Sequence, residues 1–175
     1  MIIEYVDGNL IAFLQNWNKT GNKRIYSAHG CNCFAAMGSG YAPQLARAFP
    51  LVKFADDQYH GTFEDDRARA LHMLGTVCGV EISRNLTIFN AYTQYHPGPD
   101  LRLPQLAKAF QDINDRIECC AEMDDRESTL LIPKIGAGVA GGNWEEISKV
   151  IDDNTPNIGV IVFEYTPQPR QGISV

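Results

Sequence analysis

Four glycines, Gly136, Gly138, Gly141 and Gly142, fall between an apolar run ending at Pro133 and a helical stripe that opens at Asn143-Trp144. This succession of strand, glycine-rich loop and helix start constrains the fold more than any other stretch of the chain. Glycine reaches φ > 0 without a Cβ clash and lets a ligand approach the main chain closely. Successive amides turned inward make a nest for phosphate oxygens, and the following helix N-terminus adds a favourable dipole. A plain connection would need few glycines. The lysine and Ser/Thr of a nucleoside-triphosphatase P-loop are missing, and the spacing is not GxGxxG, so triphosphate hydrolysis is disfavoured.

The rest of the chain alternates strand and helix. Residues 1–6 read as a short strand, and Leu10, Phe13, Leu14 and Trp17 as an apolar helical stripe. Gly21-Asn22 is a turn, after which Arg24 to Ala28 reads as a second strand, leaving His29 just past its end. A helix through Leu45 and Phe49 is expected to stop at Pro50, and a further helix spans Thr62 to Leu74 with Thr62 as N-cap. Thr76 to Ile82 and Leu86 to Tyr92 read as a hairpin turning at Ser83-Arg84-Asn85. Leu103, Leu106, Phe110, Ile113, Ile117 and Cys120 lie on one helical face. Ser128 to Pro133 is a buried strand, Asn143 to Ile151 a helix, and Gly159 to Tyr165 a last apolar strand. The six strand candidates, near residues 3, 26, 79, 89, 130 and 161, imply a sheet with helices on both faces, made mixed by the hairpin. One domain over residues 1–166 with a tail over 167–175 is the simplest organisation.

Charge and cysteine content narrow the function classes. A net charge of −6 with no basic block argues against bulk binding of nucleic acid through its backbone. Any phosphate must then be held by local geometry. No apolar run reaches bilayer-spanning length, and Met1-Ile2-Ile3-Glu4-Tyr5 lacks the pattern of a signal peptide, which gives the expectation of a cytoplasmic protein with no membrane partner. The five cysteines, Cys31, Cys33, Cys78, Cys119 and Cys120, lack paired CxxC spacing, so no zinc site is expected and the thiols read as reduced. No cofactor is implied.

A second loop, His29 to Gly40, leaves the second strand candidate, and Met37-Gly38-Ser39-Gly40 offers further amides to a polar ligand. Taken alone, His29 and Asn32 read more readily as structural hydrogen-bonding groups than as functional ones. Four segments in order then resemble a macro domain, the ADP-ribose-binding module, over nearly the whole chain. Gly8-Asn9-Leu10 resembles the turn that meets adenine. Ala28-His29-Gly30-Cys31-Asn32 with Met37 to Ala42 resembles the distal-ribose loop, Phe89 to Gln94 the strand ending in Thr93-Gln94, and Pro133 to Trp144 the pyrophosphate loop.

The resemblance implies a three-layer α/β/α sandwich with a six-stranded mixed sheet, and ADP-ribose or ADP-ribose 1''-phosphate as ligand, with ADP-ribosylated macromolecules as further partners. It implies ligand contacts from Gly8, Asn9, Leu10, Asn32, Met37, Gly38, Ser39, Gly40, Thr93 and Gln94. Ile135, Gly136, Ala137, Gly138, Val139, Ala140, Gly141 and Gly142 would hold the pyrophosphate. In detail the chain resembles the small branch that removes phosphate from ADP-ribose 1''-phosphate, with His29 and Asn143 as catalytic residues. That branch carries aspartate where Asn143 stands; asparagine cannot be a general base, and its bland role is that of a helix N-cap. A sister hydrolase branch uses a lysine-aspartate pair, and the aligned positions here are Gln94 and Ala140, which supply neither group. Asn9 stands where an adenine-reading aspartate is usual, and its amide oxygen can accept the same hydrogen bond. A non-catalytic binder and a de-ADP-ribosylating hydrolase are the alternatives.

Overall fold

β1 (Ile2–Asp7) opens a chain in which every helix follows a strand or another helix: α1 (Leu10–Thr20), β2 (Ile25–Cys31), α2 (Ala42–Ala48), α3 (Pro50–Gly61), α4 (Asp66–Ala68), β3 (Val77–Ser83), β4 (Leu86–Tyr92), α5 (Leu103–Asp124), β5 (Thr129–Pro133), α6 (Trp144–Asp153) and β6 (Gly159–Glu164). The computed structural model describes residues 1–124 and 129–165. The expected start of β5 at Ser128 and the expected tail over 167–175 lie outside the described residues.

The strands form one sheet in the order β1-β6-β5-β2-β4-β3. All neighbours are parallel except β3 and β4, which pair antiparallel as the hairpin pattern requires. The expected mixed six-stranded α/β sheet is therefore present. Parallel strands covered on both faces must be apolar on both, and β4 is buried at Leu86 and continuously from Ile88 to Tyr92. On one face the sheet packs Ala28, Phe89, Leu130, Ile132 and Val160 against Phe110 and Ile113 of α5 and Ile147 and Ile151 of α6. On the other face Ile25, Leu86, Ile88 and Leu131 meet Leu10 and Leu14 of α1, Leu45 of α2 and Val52 of α3. Each such buried aliphatic side chain contributes about 2 kcal/mol from area removed from water.

Three local expectations are corrected. His29 lies inside β2, which runs on to Cys31, because β4 continues its parallel pairing as far as Cys31–Tyr92. Pro50 does not simply stop a helix: it sits at the first position of α3, where its missing amide is not needed. Thr62 is not an N-cap but the C-terminal boundary of α3, and its hydroxyl donates back to the carbonyl of Tyr59 at 2.7 Å. The cap belongs to Asp65, which accepts from the amide of Ala68 at 2.8 Å, and a π-helical turn, Arg69–Met73, follows α4.

Candidate functional site

The carboxyl ends of β2, β4 and β5 meet at a cleft of about 300 Å³, where open parallel sheets usually gather ligands. Residues 38–42 form one wall, residues 133–136 and 138–140 the other, and Pro97 with Gly98 close the rim. The walls are close: a Cβ on Gly40 would lie 3.4 Å from Cγ2 of Val139.

The wall after β5 is shaped by its own hydrogen bonds. Gly136 takes φ +77°, the left-handed region, and its carbonyl accepts from the amide of Gly142 at 2.8 Å. The amide of Gly141 donates to the carbonyl of Gly138 at 3.0 Å. These bonds pull the loop into a ring, and among the described residues the amides of Gly138, Val139 and Ala140 are left with no acceptor. On the facing wall the amides of Gly38, Ser39 and Gly40 are likewise unpaired among the described residues. Unpaired donors converging on a cleft suit an anionic ligand. Among the described residues that line the cleft, Lys134 is the one cation; it pairs with Glu164 and lies 5.8 Å from the ring centroid of Trp144.

The floor is polar and buried. His29 is 2% exposed, with Nε2 at 2.6 Å from Oδ1 of Asn90. Asn90 Nδ2 donates to the carbonyl of Val52 at 3.0 Å, which orients its oxygen toward the histidine. Burial lowers the His29 pKa to about 4, against a smaller opposing effect of the Asn90 hydrogen bond. The ring is thus neutral, with hydrogen on Nε2 and a lone pair on Nδ1. The Tyr41 ring lies 6.4 Å from that of His29, and its buried hydroxyl has no hydrogen-bond partner among the described residues. Burial also raises the Tyr41 phenol well above its ordinary range.

The rim is built from Gln94. Its Nε2 donates to the carbonyls of His96 at 2.8 Å and Gly98 at 3.0 Å. Asp100 accepts from the amides of His96 at 2.8 Å and Tyr95 at 3.1 Å, and the His96 bond leads in holding its carboxyl below the ordinary range. Phe34 stacks on the His96 ring at 5.3 Å, which ties the rim to the loop after β2.

No protein-family model matches the chain. It is 31% identical over 170 residues to an uncharacterized 17.5 kDa protein of the tk-vs intergenic region of Enterobacteria phage T4, covering 95% of this chain and 99% of that one. The fold superposes with a TM-score of 0.67 on a macrodomain protein from Streptomyces coelicolor, at 23% identity over 93% of this chain and 99% of the other. The chain has the macrodomain fold. It is also 22% identical over 156 residues (87% of the chain, 93% of the relative) to a Candida albicans protein named ADP-ribose 1''-phosphate phosphatase.

The residues anticipated for the site divide in two. His29, Asn32, Gly38, Ser39, Gly40, Gln94, Ile135, Gly136, Gly138, Val139 and Ala140 come together around the cleft. Asn32 does so with its side chain already engaged: Oδ1 accepts from the amides of Phe34 and Ala36, and Nδ2 donates to the carbonyl of Ala36. Gly8, Asn9, Leu10, Met37, Thr93, Ala137, Gly141, Gly142 and Asn143 are not among the lining residues. Asn9 caps α1 by accepting from the amide of Ala12 at 3.1 Å, and Leu10 is core. Asn143 caps α6, its Oδ1 accepting from the amides of Glu145 at 2.9 Å and Glu146 at 3.3 Å. Thr93 is fully buried, and its hydroxyl has no hydrogen-bond partner among the described residues.

Tyr41 falls within the anticipated distal-ribose segment without a role of its own, and Pro97 and Gly98 lie outside every anticipated segment. The Pro97-Gly98-Pro99 run is a turn signal, yet nothing in it says that the turn folds onto the cleft. Among the described residues no cluster of three or more histidine, cysteine or acidic side chains could hold a metal, and no helix is long and apolar enough to cross a membrane.

Proposed function

We propose that this protein binds ADP-ribose in the cleft and removes the phosphate of ADP-ribose 1''-phosphate. The observation that carries the reading is the pair of facing walls whose amides, Gly38 to Gly40 and Gly138 to Ala140, are unpaired among the described residues and line one cleft. A diphosphate fits between such donors, whose preorganisation costs nothing further at the moment of reaction. The name of the Candida relative supports the same ligand class and reaction.

In this reading the diphosphate lies along Gly136 to Ala140 and the distal ribose reaches toward His29. A neutral imidazole with a lone pair on Nδ1 suits a nucleophile or a general base. As nucleophile, Nδ1 bonds to phosphorus as the bond to the ribose oxygen breaks. That oxygen takes a proton from water, and a second water then hydrolyses the phosphohistidine. With Nε2–H directed to Asn90 and the ring neutral, His29 is not the proton donor.

One observation favours a second reading, a non-catalytic binder of ADP-ribose. Among the described residues no carboxylate lines the cleft, and Oδ1 of Asn143 is committed to the cap of α6. Calorimetric titration with ADP-ribose, together with phosphate release from ADP-ribose 1''-phosphate, separates the readings. Release that His29→Ala abolishes, with ADP-ribose binding retained, supports the phosphatase. Binding without release supports the binder, and a folded protein that binds nothing overturns both.

A further inference from the structure

We infer that Gln94 is the positioning residue of the cleft: its side-chain amide fixes the 96–98 turn, and the segment that follows holds the 136–142 loop in its open ring. The chain of contacts is continuous. Gln94 is itself anchored at the end of β4, where its amide donates to the carbonyl of Cys31 at 3.4 Å and its carbonyl accepts from the Cys33 thiol at 3.7 Å. It is nearly buried, at 9% exposure, so its two donors to the His96 and Gly98 carbonyls work in a setting of low water access.

Beyond the turn the chain comes back against the loop. Gln94 and Leu101 form an isolated antiparallel bridge, and the amide of Leu101 donates to the carbonyl of Ala140 at 3.3 Å. The Leu101 side chain fills the hollow of the ring: a Cβ on Gly136 would lie 2.9 Å from its Cδ2, and one on Gly142 would overlap the same atom. Pro99 lies against Gly141, where a Cβ would meet it at 3.0 Å. The ring therefore has a plug, and Gln94 ties down the turn that leads to the plug. Without that tie the turn loses two hydrogen bonds, Leu101 loses its fixed approach, and the ring that carries Gly138 to Ala140 loses its plug.

The affinity arm of the test rests on the ADP-ribose reading; the exchange arm does not. Gln94→Glu keeps the shape but, when ionised, turns two donors into acceptors facing two carbonyls. Gln94→Met removes the donors without adding charge. In both variants ADP-ribose binding should weaken by roughly tenfold, the scale of one or two lost hydrogen bonds. Hydrogen exchange measured without ligand should quicken at the Leu101 and Gly142 amides and stay unchanged in α5 and β5. Against the wild type at each pH, the Gln94→Glu deficit should shrink between pH 7 and 5 as protonation restores a donor, while that of Gln94→Met should not. Wild-type affinity in both variants, or faster exchange confined to residues 94–98, overturns the inference. A wild type that fails to bind ADP-ribose overturns the functional reading instead, and the exchange result still decides the role of Gln94.

Discussion

His29 and Asn90 face one another across paired strands with Nε2 and Oδ1 2.6 Å apart, and the Asn90 amide hydrogens are held on the Val52 carbonyl of α3. Flipping the amide would break both bonds, so α3 sets the tautomer of a histidine in β2. The cleft thereby presents a neutral ring with Nε2–H turned into the protein. The same burial that keeps the ring neutral ties stability to pH.

The sign follows from where protons bind. The unfolded chain takes up a proton on His29 near its ordinary value of 6.5, whereas the folded chain resists until about 4. Stability is therefore independent of this group above pH 6.5 and falls as pH drops from 6.5 toward 4, on the order of 3 kcal/mol in total. Urea denaturation of wild type and His29→Gln at several pH values checks this. The variant should show a shallower slope over that window; equal slopes would remove His29 as the source.

Asn143 bears on stability and activity separately. Asn143→Ala removes both cap bonds and should lower stability by about 1 kcal/mol. Asn143→Asp keeps an acceptor and adds negative charge at a helix N-terminus, so its unfolding midpoint should match or exceed the wild type. If Asn143→Asp also speeds phosphate release, the missing carboxylate limits catalysis. If release is unchanged, Asn143 acts as a cap alone.

Gly142→Ala should be costly although glycine there needs no unusual φ. The added methyl would overlap Leu101, and would lie 2.7 Å from Cδ1 of Ile147 and 2.9 Å from the Gly136 carbonyl oxygen. Overpacking of this kind costs about 1–3 kcal/mol. Thermal unfolding measures the loss, and ADP-ribose titration should show weaker binding because the ring must open. A variant as stable and as tight as wild type would show that the loop yields freely.

Tyr41→Phe has the opposite expected sign. The hydroxyl it deletes is buried and has no partner among the described residues, a condition that costs about 1–3 kcal/mol. The variant should unfold at the same temperature or higher by calorimetry. A lower midpoint would mean that the hydroxyl has a stabilising partner in solution.

Much of this fold is legible in short stretches of sequence. The stripe Leu106, Phe110, Ile113 and Ile117 makes α5, and the paired β-rich runs around Arg84 make the β3–β4 hairpin, because both patterns express a local backbone period. Helix α3 was missed and the cap moved from Thr62 to Asp65, since Pro50 can end one helix and begin another and only packing chooses. At the cleft, the facing loops were legible as glycine-rich strand ends. That Asn9 and Asn143 cap α1 and α6 was not, because the side chain that caps a helix is chemically the same one that would face a ligand.

The glycine-rich loop after β5 shows the division most clearly. Sequence alone determined that a strand passes through a loop of unusual backbone freedom into a helix, for backbone freedom belongs to each residue. Tertiary structure decided which amides stay unpaired, since Gly141 and Gly142 bond within the ring and Leu101, from 35 residues earlier, fills it. It also decided that His29 is neutral, through burial, and which tautomer it takes, through Asn90 and Val52, partners distant along the chain. Contacts of that kind are carried by no local pattern, because they exist only once the sheet has brought its strands together.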